Sequence, residues 1–342
     1  MYVRERIDLR HIFRDSWRVM VISALWALVV VAIYDVGGVR FIGIPIAPVT
    51  TIGIVVSLYL GFKSNSAYNR WWEARTIWGA IVNDSRIWAN HSLTLVTDVP
   101  GADARQAAHT LIYRHLAFVN ALAFQLRKNS RLKPAQKQHV FDRRLQDVSA
   151  FDTSTRECYR RYLSAEEADD LNRYANPAVH IVRKQGAHLQ RLLRDGAIDD
   201  NRIVQMAEVL GRFYDSQGRC ERIKNAPFPR QITHFGRIFT YIFMALMPLA
   251  LIETFERTLS EHDLTLFAAH EYMFVMVPFS MVISWLFYLV EKISESCEDP
   301  FEWGTTDVPI SALTRTIEID LMQMLDEPDV PQQLQPIDGV LY

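Results

Sequence analysis

Cysteine is scarce. Cys158, Cys220 and Cys297 lie far apart, with no CxxC and no Cys/His cluster. An odd number of distant thiols excludes a full disulfide framework and makes reduced cysteine the default. Enzyme signatures are missing as well: there is no GxGxxG, no GxxxxGK(S/T), no HExxH and no GxSxG. The ten histidines are scattered, and His109 and His115 stand six apart, which is not metal spacing on a helix. The acidic pairs Glu166-Glu167 and Asp169-Asp170 sit behind Ser164 and read as a capped, solvated helix start rather than a catalytic dyad. Period-two alternation is rare, so strands are not expected. A net charge of −2 gives no nucleic-acid signature. The chain therefore reads as neither an enzyme nor a nucleic-acid binder, and nothing in it implies a cofactor.

What the sequence does have is long apolar runs. Val19–Tyr34, Phe41–Phe62, Ile238–Ile252 and Tyr272–Val290 contain no charged residue. A bilayer core needs about 20 apolar residues, with a range of roughly 17–25. The second and fourth runs meet that outright. The first and third meet it if Trp17, Arg18 and Arg237 reach the interface. Pro248 and Pro278 fall inside runs three and four, where neighbouring helices must satisfy the freed carbonyls. The N-terminal segment carries Arg4, Arg6, Arg10, Arg14 and Arg18, whereas the two short connections hold only Arg40 and Arg257 as basic residues. The positive-inside rule then places both termini in the cytoplasm of an inner (cell) membrane. The expected fold is all-α and integral to the membrane. It has an N-terminal cytosolic segment with spans one and two (1–62), a cytosolic helical region (63–234), spans three and four (235–290) and a cytosolic tail (291–342).

Charge is divided between two of these parts. Residues 63–234 hold 27 Lys/Arg against 18 Asp/Glu, and residues 291–342 hold 2 against 12. The balances, +9 and −10, nearly cancel, so the tail is expected to lie over the basic body of its own or a neighbouring subunit. Its stretch "EPDVPQQLQPIDG" reads as disordered, and "RTIEIDLMQML" as an amphipathic helix.

The second run continues without a firm helix breaker into "KSNSAYNRWWEAR". Ile54, Leu58 and Phe62 recur every four residues and share one helix face. Gly53, Ser57 and Gly61 form a small-residue face at the same spacing, suited to packing on a neighbouring copy. An apolar face of this kind usually packs or meets lipid. In a symmetric ring it would form a hydrophobic constriction, which can gate ions by dewetting. Trp71 and Trp72 are expected to anchor the helix beyond the membrane, and Arg70 and Glu73 to pair on its surface.

Four stretches together resemble the bestrophin family, in particular its bacterial branch. They are "GFKSNSAYNRWWEAR", "GRCERIKNAPFPRQITHFGRIF", "EDPFEWGTTDVP" and "RTIEIDLMQML", in that order. The resemblance implies a homopentamer around one axial pore, passing small monovalent ions through the bilayer. It makes Ile54, Leu58 and Phe62 the pore neck and implies a second, cytosolic constriction near Val204, with Asn201 as the alternative. It favours anions (chloride) over cations (sodium), because the wider family does. Animal members bind Ca²⁺ with an acidic cluster after Asn/Asp-Pro-Phe. Here only Asp307 matches a ligand carboxylate, and Gly304 stands where another acid is expected. Ca²⁺ takes six to eight oxygens with several carboxylates, so tight Ca²⁺ activation is not expected. The competing reading is a non-conducting membrane scaffold whose cytosolic helices bind a partner.

Overall fold

The structure, a computed structural model, describes residues 1–3, 9–100, 103–128, 153, 155–262, 271–337 and 339–342. Arg4, Arg6 and Asp263, which lie in the segments used to orient the chain, fall outside the described residues. The helices are α1 (Leu9–Val31), α2 (Ile46–Thr94), α3 (Ala104–Arg127), α4 (Glu157–Arg160), α5 (Ala165–Leu171), α6 (Pro177–Arg194), α7 (Asp200–Asn225), α8 (Arg230–His262), α9 (Met276–Glu298) and α10 (Ile310–Met324). Among the described residues there is no strand, only isolated bridges from Val340 to Tyr2 and Ile337.

Among the described residues, four helical segments are long and apolar enough to cross a membrane: Ser16–Val36, Arg40–Thr94, Arg230–Ser260 and Glu271–Glu298. The protein is thus a helical membrane protein. At 1.5 Å per residue α2 spans about 73 Å, more than twice the hydrocarbon thickness of about 30 Å. No break interrupts its 49 residues, as the uninterrupted sequence predicts.

The chain divides into two compact units: Glu5–Asn69 with Pro227–Glu298, and Met1–Arg4 with Arg70–Ala226 and Asp299–Tyr342. The first is the apolar unit. Val30, Val31 and Tyr34 pack with Leu251, Ile252, Met273 and Met276, while Val49, Val56 and Leu60 pack with Phe243 and Ala250. The outward residues are also apolar, for example Ile22 and Leu25 of α1 and Phe279 and Leu286 of α9. A surface of that kind suits lipid rather than water. Pro248 lies inside α8, and nearby carbonyls find outside donors: the Trp26 indole donates to Ala245 O at 2.9 Å and Ile44 N to Leu249 O at 3.2 Å. Pro278 instead falls in the first turn of α9, where no intrahelical N–H is lost.

The second unit is a polar-surfaced helical body. Its core runs through Trp78, Trp88, Leu116, Phe118, Met206, Phe213 and Ile317. Ser164 caps α5 through the Glu167 N–H, as its position predicts, and Asp199 caps α7 through the Arg202 N–H. The acidic tail lies on the basic body of its own chain. Arg86 pairs with Asp320 at 2.7 Å, Lys224 with Glu302 at 2.6 Å, and Arg161 and Tyr162 both reach Glu318. Burial and the Glu318 carboxylate push the Tyr162 hydroxyl well above its usual range. Residues 327–337 have no helix or strand, yet they are held rather than disordered. Arg315 donates to Gln332 O at 3.1 Å, Ile337 and Val340 exchange backbone bonds, and Leu341 N donates to Met1 O. Low hydrophobicity misleads here because the stretch is fastened by backbone bonds rather than by apolar burial.

His115 is fully buried, with Nε2 2.8 Å from Ser85 Oγ and its ring 4.4 Å from that of Phe213. Burial lowers its pKa from 6.5 to about 3, so the folded protein holds it neutral. A depressed base contributes stability in full above pH 6.5, and that contribution is lost as pH falls toward 3. At pH 5 the loss is on the order of 2 kcal/mol. Thermal melts of the detergent-solubilised protein should therefore fall in Tm from pH 7 to pH 5. His115→Gln should lower Tm at pH 7 but flatten that fall.

Candidate functional site

The burial pattern of α2 divides the helix in two lengthwise. Its inward side carries Val49, Gly53, Val56, Leu60, Lys63, Ala67, Arg70, Ala74, Ile77, Ile81, Asp84 and Trp88, in steps of four and three. All are buried except the half-buried Arg70. The opposite side carries the three residues nominated from the sequence. Ile54 is 57% exposed, Leu58 59% and Phe62 73%. They do share one face, and the described residues leave it largely exposed. Below Phe62 the same face turns polar, with Asn65 and Asn69 exposed.

The small-residue face divides differently from expectation. Gly53 faces inward, where an added Cβ would lie 2.8 Å from the Phe243 ring, so it serves packing within the chain. Gly61 has open space around its missing Cβ, and Ser57 is exposed with its hydroxyl donating to Gly53 O. The two tryptophans also part company. Trp71 packs against the helical core while Trp72 stays 54% exposed, because successive residues point about 100° apart. Arg70 and Glu73 do not pair with each other. The Arg70 guanidinium donates to Ile223 O and Ala226 O at the C-terminal end of α7, and Glu73 pairs with Arg222 at 2.6 Å. Open carbonyls and a negative helix end attract that cation more than a surface carboxylate does.

On α7 the buried side is Ile203, Met206, Leu210, Phe213, Gln217 and Cys220. Val204 points away from it and is 65% exposed, an apolar residue among the exposed polar residues Asn201, Gln205 and Glu208. Asn201 lies in the first turn, just after the Asp199 cap.

Asp307 braces a strained loop. Its Oδ1 accepts from Phe301 N and Val308 N, both at 2.7 Å. Phe301 and Trp303 adopt left-handed backbone (φ 72° and 64°), which bulky side chains avoid unless the surroundings impose it. Phe301 is buried in the core, and Arg127 lies 3.6 Å over the Trp303 ring. Burial raises the Asp307 pKa, and the nearby Arg127 charge opposes that rise. This donor set does not fit Ca²⁺. One oxygen is committed to two N–H groups, Glu302 is taken by Lys224, Gly304 offers no side chain, and Arg127 adds positive charge. Among the described residues no group of three His, Cys, Asp or Glu could hold a metal ion.

The family model for the bacterial/fungal bestrophin protein matches residues 9–323. The chain belongs to the bacterial and fungal bestrophin family. A voltage-dependent anion channel-forming protein of Mesorhizobium japonicum is 29% identical over 297 residues, 87% of this chain and 80% of its own length. The protein YneE of Escherichia coli K12, named in the same way, is 27% identical over 300 residues, 87% of this chain and 82% of its own. The crystal structure of a bacterial bestrophin homologue from Klebsiella pneumoniae superposes with a TM-score of 0.73 at 23% identity, covering 91% of this chain and 98% of that one. That likeness fixes the bestrophin fold.

Within this bestrophin, Asp307 braces the loop through the Phe301 and Val308 N–H groups. Asp307→Ala should lower stability by about 2 kcal/mol, since it orphans two buried N–H groups. Millimolar Ca²⁺ should leave the Tm of the parent unchanged; a rise would show binding to the folded state.

Proposed function

We propose that the chain is one subunit of a homopentameric channel that passes small monovalent anions, chloride in preference to sodium, passively across the inner membrane. One observation carries the reading: in a family member, Ile54, Leu58 and Phe62 stand exposed in a row on a helix whose other side is entirely engaged. Arranged around a five-fold axis, that row makes an apolar neck, a constriction that gates by dewetting and not by charge. Val204 on α7, exposed and apolar, is the residue we assign to the cytosolic constriction, in preference to Asn201. We assign Arg70–Ala226 with Asp299–Tyr342 to the cytoplasm, together with both termini, following the arginine-rich start of the chain.

Anion preference is supported by the names of the relatives, which are called anion channel-forming proteins. An apolar neck does not itself select by sign. The basic excess of residues 63–234 would draw anions, but the tail neutralises part of it through Asp320, Glu302 and Glu318.

Purified protein in liposomes should pass chloride down a gradient. Under asymmetric NaCl the reversal potential should lie toward the chloride equilibrium potential; a value at the sodium potential would reverse the sign assignment. Ile54→Ala, Leu58→Ala and Phe62→Ala should each change conductance several-fold while the oligomer still assembles. Three variants that behave like the parent would refute the neck. An assembled oligomer with no flux would instead favour the scaffold reading.

A further inference from the structure

The exposed row on α2 has a rotational setting, and one polar cluster on the opposite side supplies it. Lys63 directly follows Phe62 and its side chain is fully buried. The ammonium lies 2.6 Å from Glu291 Oε2 and 2.9 Å from Glu298 Oε1. These two glutamates are seven residues apart on α9, two helical turns, so they present one face. Glu298 Oε2 accepts from Thr233 Oγ1 of α8 at 2.7 Å. One turn before Lys63, the Tyr59 hydroxyl donates to Ile232 O at 2.7 Å. Gly236 permits this approach: a Cβ there would lie 2.8 Å from the Tyr59 ring and 3.6 Å from Lys63 Cδ.

Elsewhere in this unit the inward side chains of α2, Val49, Val56 and Leu60, make apolar contacts with Phe243 and Ala250, and Ile46 N at its first turn donates to Glu253 Oε2 at 2.7 Å. Apolar contact is non-directional and tolerates some rotation. A buried ammonium held by two carboxylates does not, because its hydrogen bond and ion pair are directional and its side chain is shut off from bulk solvent. Each residue of a helix is fixed about 100° from the last. Locking Lys63 therefore fixes the direction in which the Phe62 side chain leaves the helix.

We propose that Lys63, held by Glu291, Glu298 and Thr233, is a positioning site for the neck. It sets the rotation of α2, and so how far the Phe62 ring closes on the ion path. The proposal rests on the reading of Phe62 as a neck residue. It also explains a lysine at the end of an apolar run, where a charge facing the ions would otherwise be expected to select by sign.

Single-channel recording tests it, with Lys63→Gln, Thr233→Val and Phe62→Ala measured singly and as the doubles containing Phe62→Ala. In the parent background Lys63→Gln and Thr233→Val should each shift unitary conductance about twofold or more, and in the Phe62→Ala background they should have little further effect. Lys63→Arg, which keeps the charge and the donors, should restore most of the parent conductance. Effects that multiply unchanged with that of Phe62→Ala would overturn the proposal and leave the neck intact. If Phe62→Ala alone conducts like the parent, the neck reading fails and this one falls with it. Should Lys63→Gln not assemble, Thr233→Val, which keeps all three charges, decides by the same comparison.

Discussion

Along α2, every seventh residue from Val49 and every seventh from Gly53 turns inward, for six repeats, ending at Asp84 and Trp88. Three positions on this line are charged, and each has a dedicated partner. Lys63 is held by Glu291 and Glu298, Arg70 by the carbonyls of Ile223 and Ala226, and Asp84 by Arg212 at 2.8 Å. Removing a partner of the fully buried Lys63 costs on the order of 3–5 kcal/mol, while the half-buried Arg70 and the partly exposed Asp84–Arg212 pair contribute less. These three points therefore fix the register of a helix whose apolar contacts alone would leave it loosely specified. What faces away from the line is then determined, and Ile54, Leu58 and Phe62 are among the residues it leaves exposed, with Val55, Ser57 and Gly61 beside them.

That division of one helix into an engaged side and an uncovered side is the basis of the functional reading. The engaged side is satisfied within the chain, so the uncovered apolar row in the membrane-spanning stretch must meet lipid, another copy or ions. The proposed function takes it to be the last. Elsewhere the chain also resolves its own charges. The tail's Asp320, Glu318 and Glu302 sit on Arg86, Arg161 and Lys224, and Asp307 closes a loop that two left-handed aromatic residues would otherwise strain open.

Much of this is legible in the sequence because it depends on periodicity. Uncharged runs mark the four spanning segments, and a repeat of four places Ile54, Leu58 and Phe62 together. The cap at Ser164 follows from local chemistry. What sequence reasoning misses depends on distant partners. Arg70 and Glu73 look like a surface pair until α7 brings carbonyls and Arg222 to them. Gly53 looks like a subunit contact until Phe243 fills its place. Lys63 looks like the end of a span, although Glu291 and Glu298, both at the end of the fourth run and seven apart, were a signal that a buried cation could be answered there.

Cysteine accessibility along α2 tests the central claim most directly. With the three native cysteines replaced by alanine, single cysteines would be placed at Ile54, Leu58, Phe62, Val56 and Leu60 in liposomes that conduct chloride. A water-soluble thiol reagent should modify the first three and change the chloride current, while the positions of Val56 and Leu60 stay unreactive. Reaction at Val56 and Leu60 with none at Leu58 and Phe62 would contradict the account.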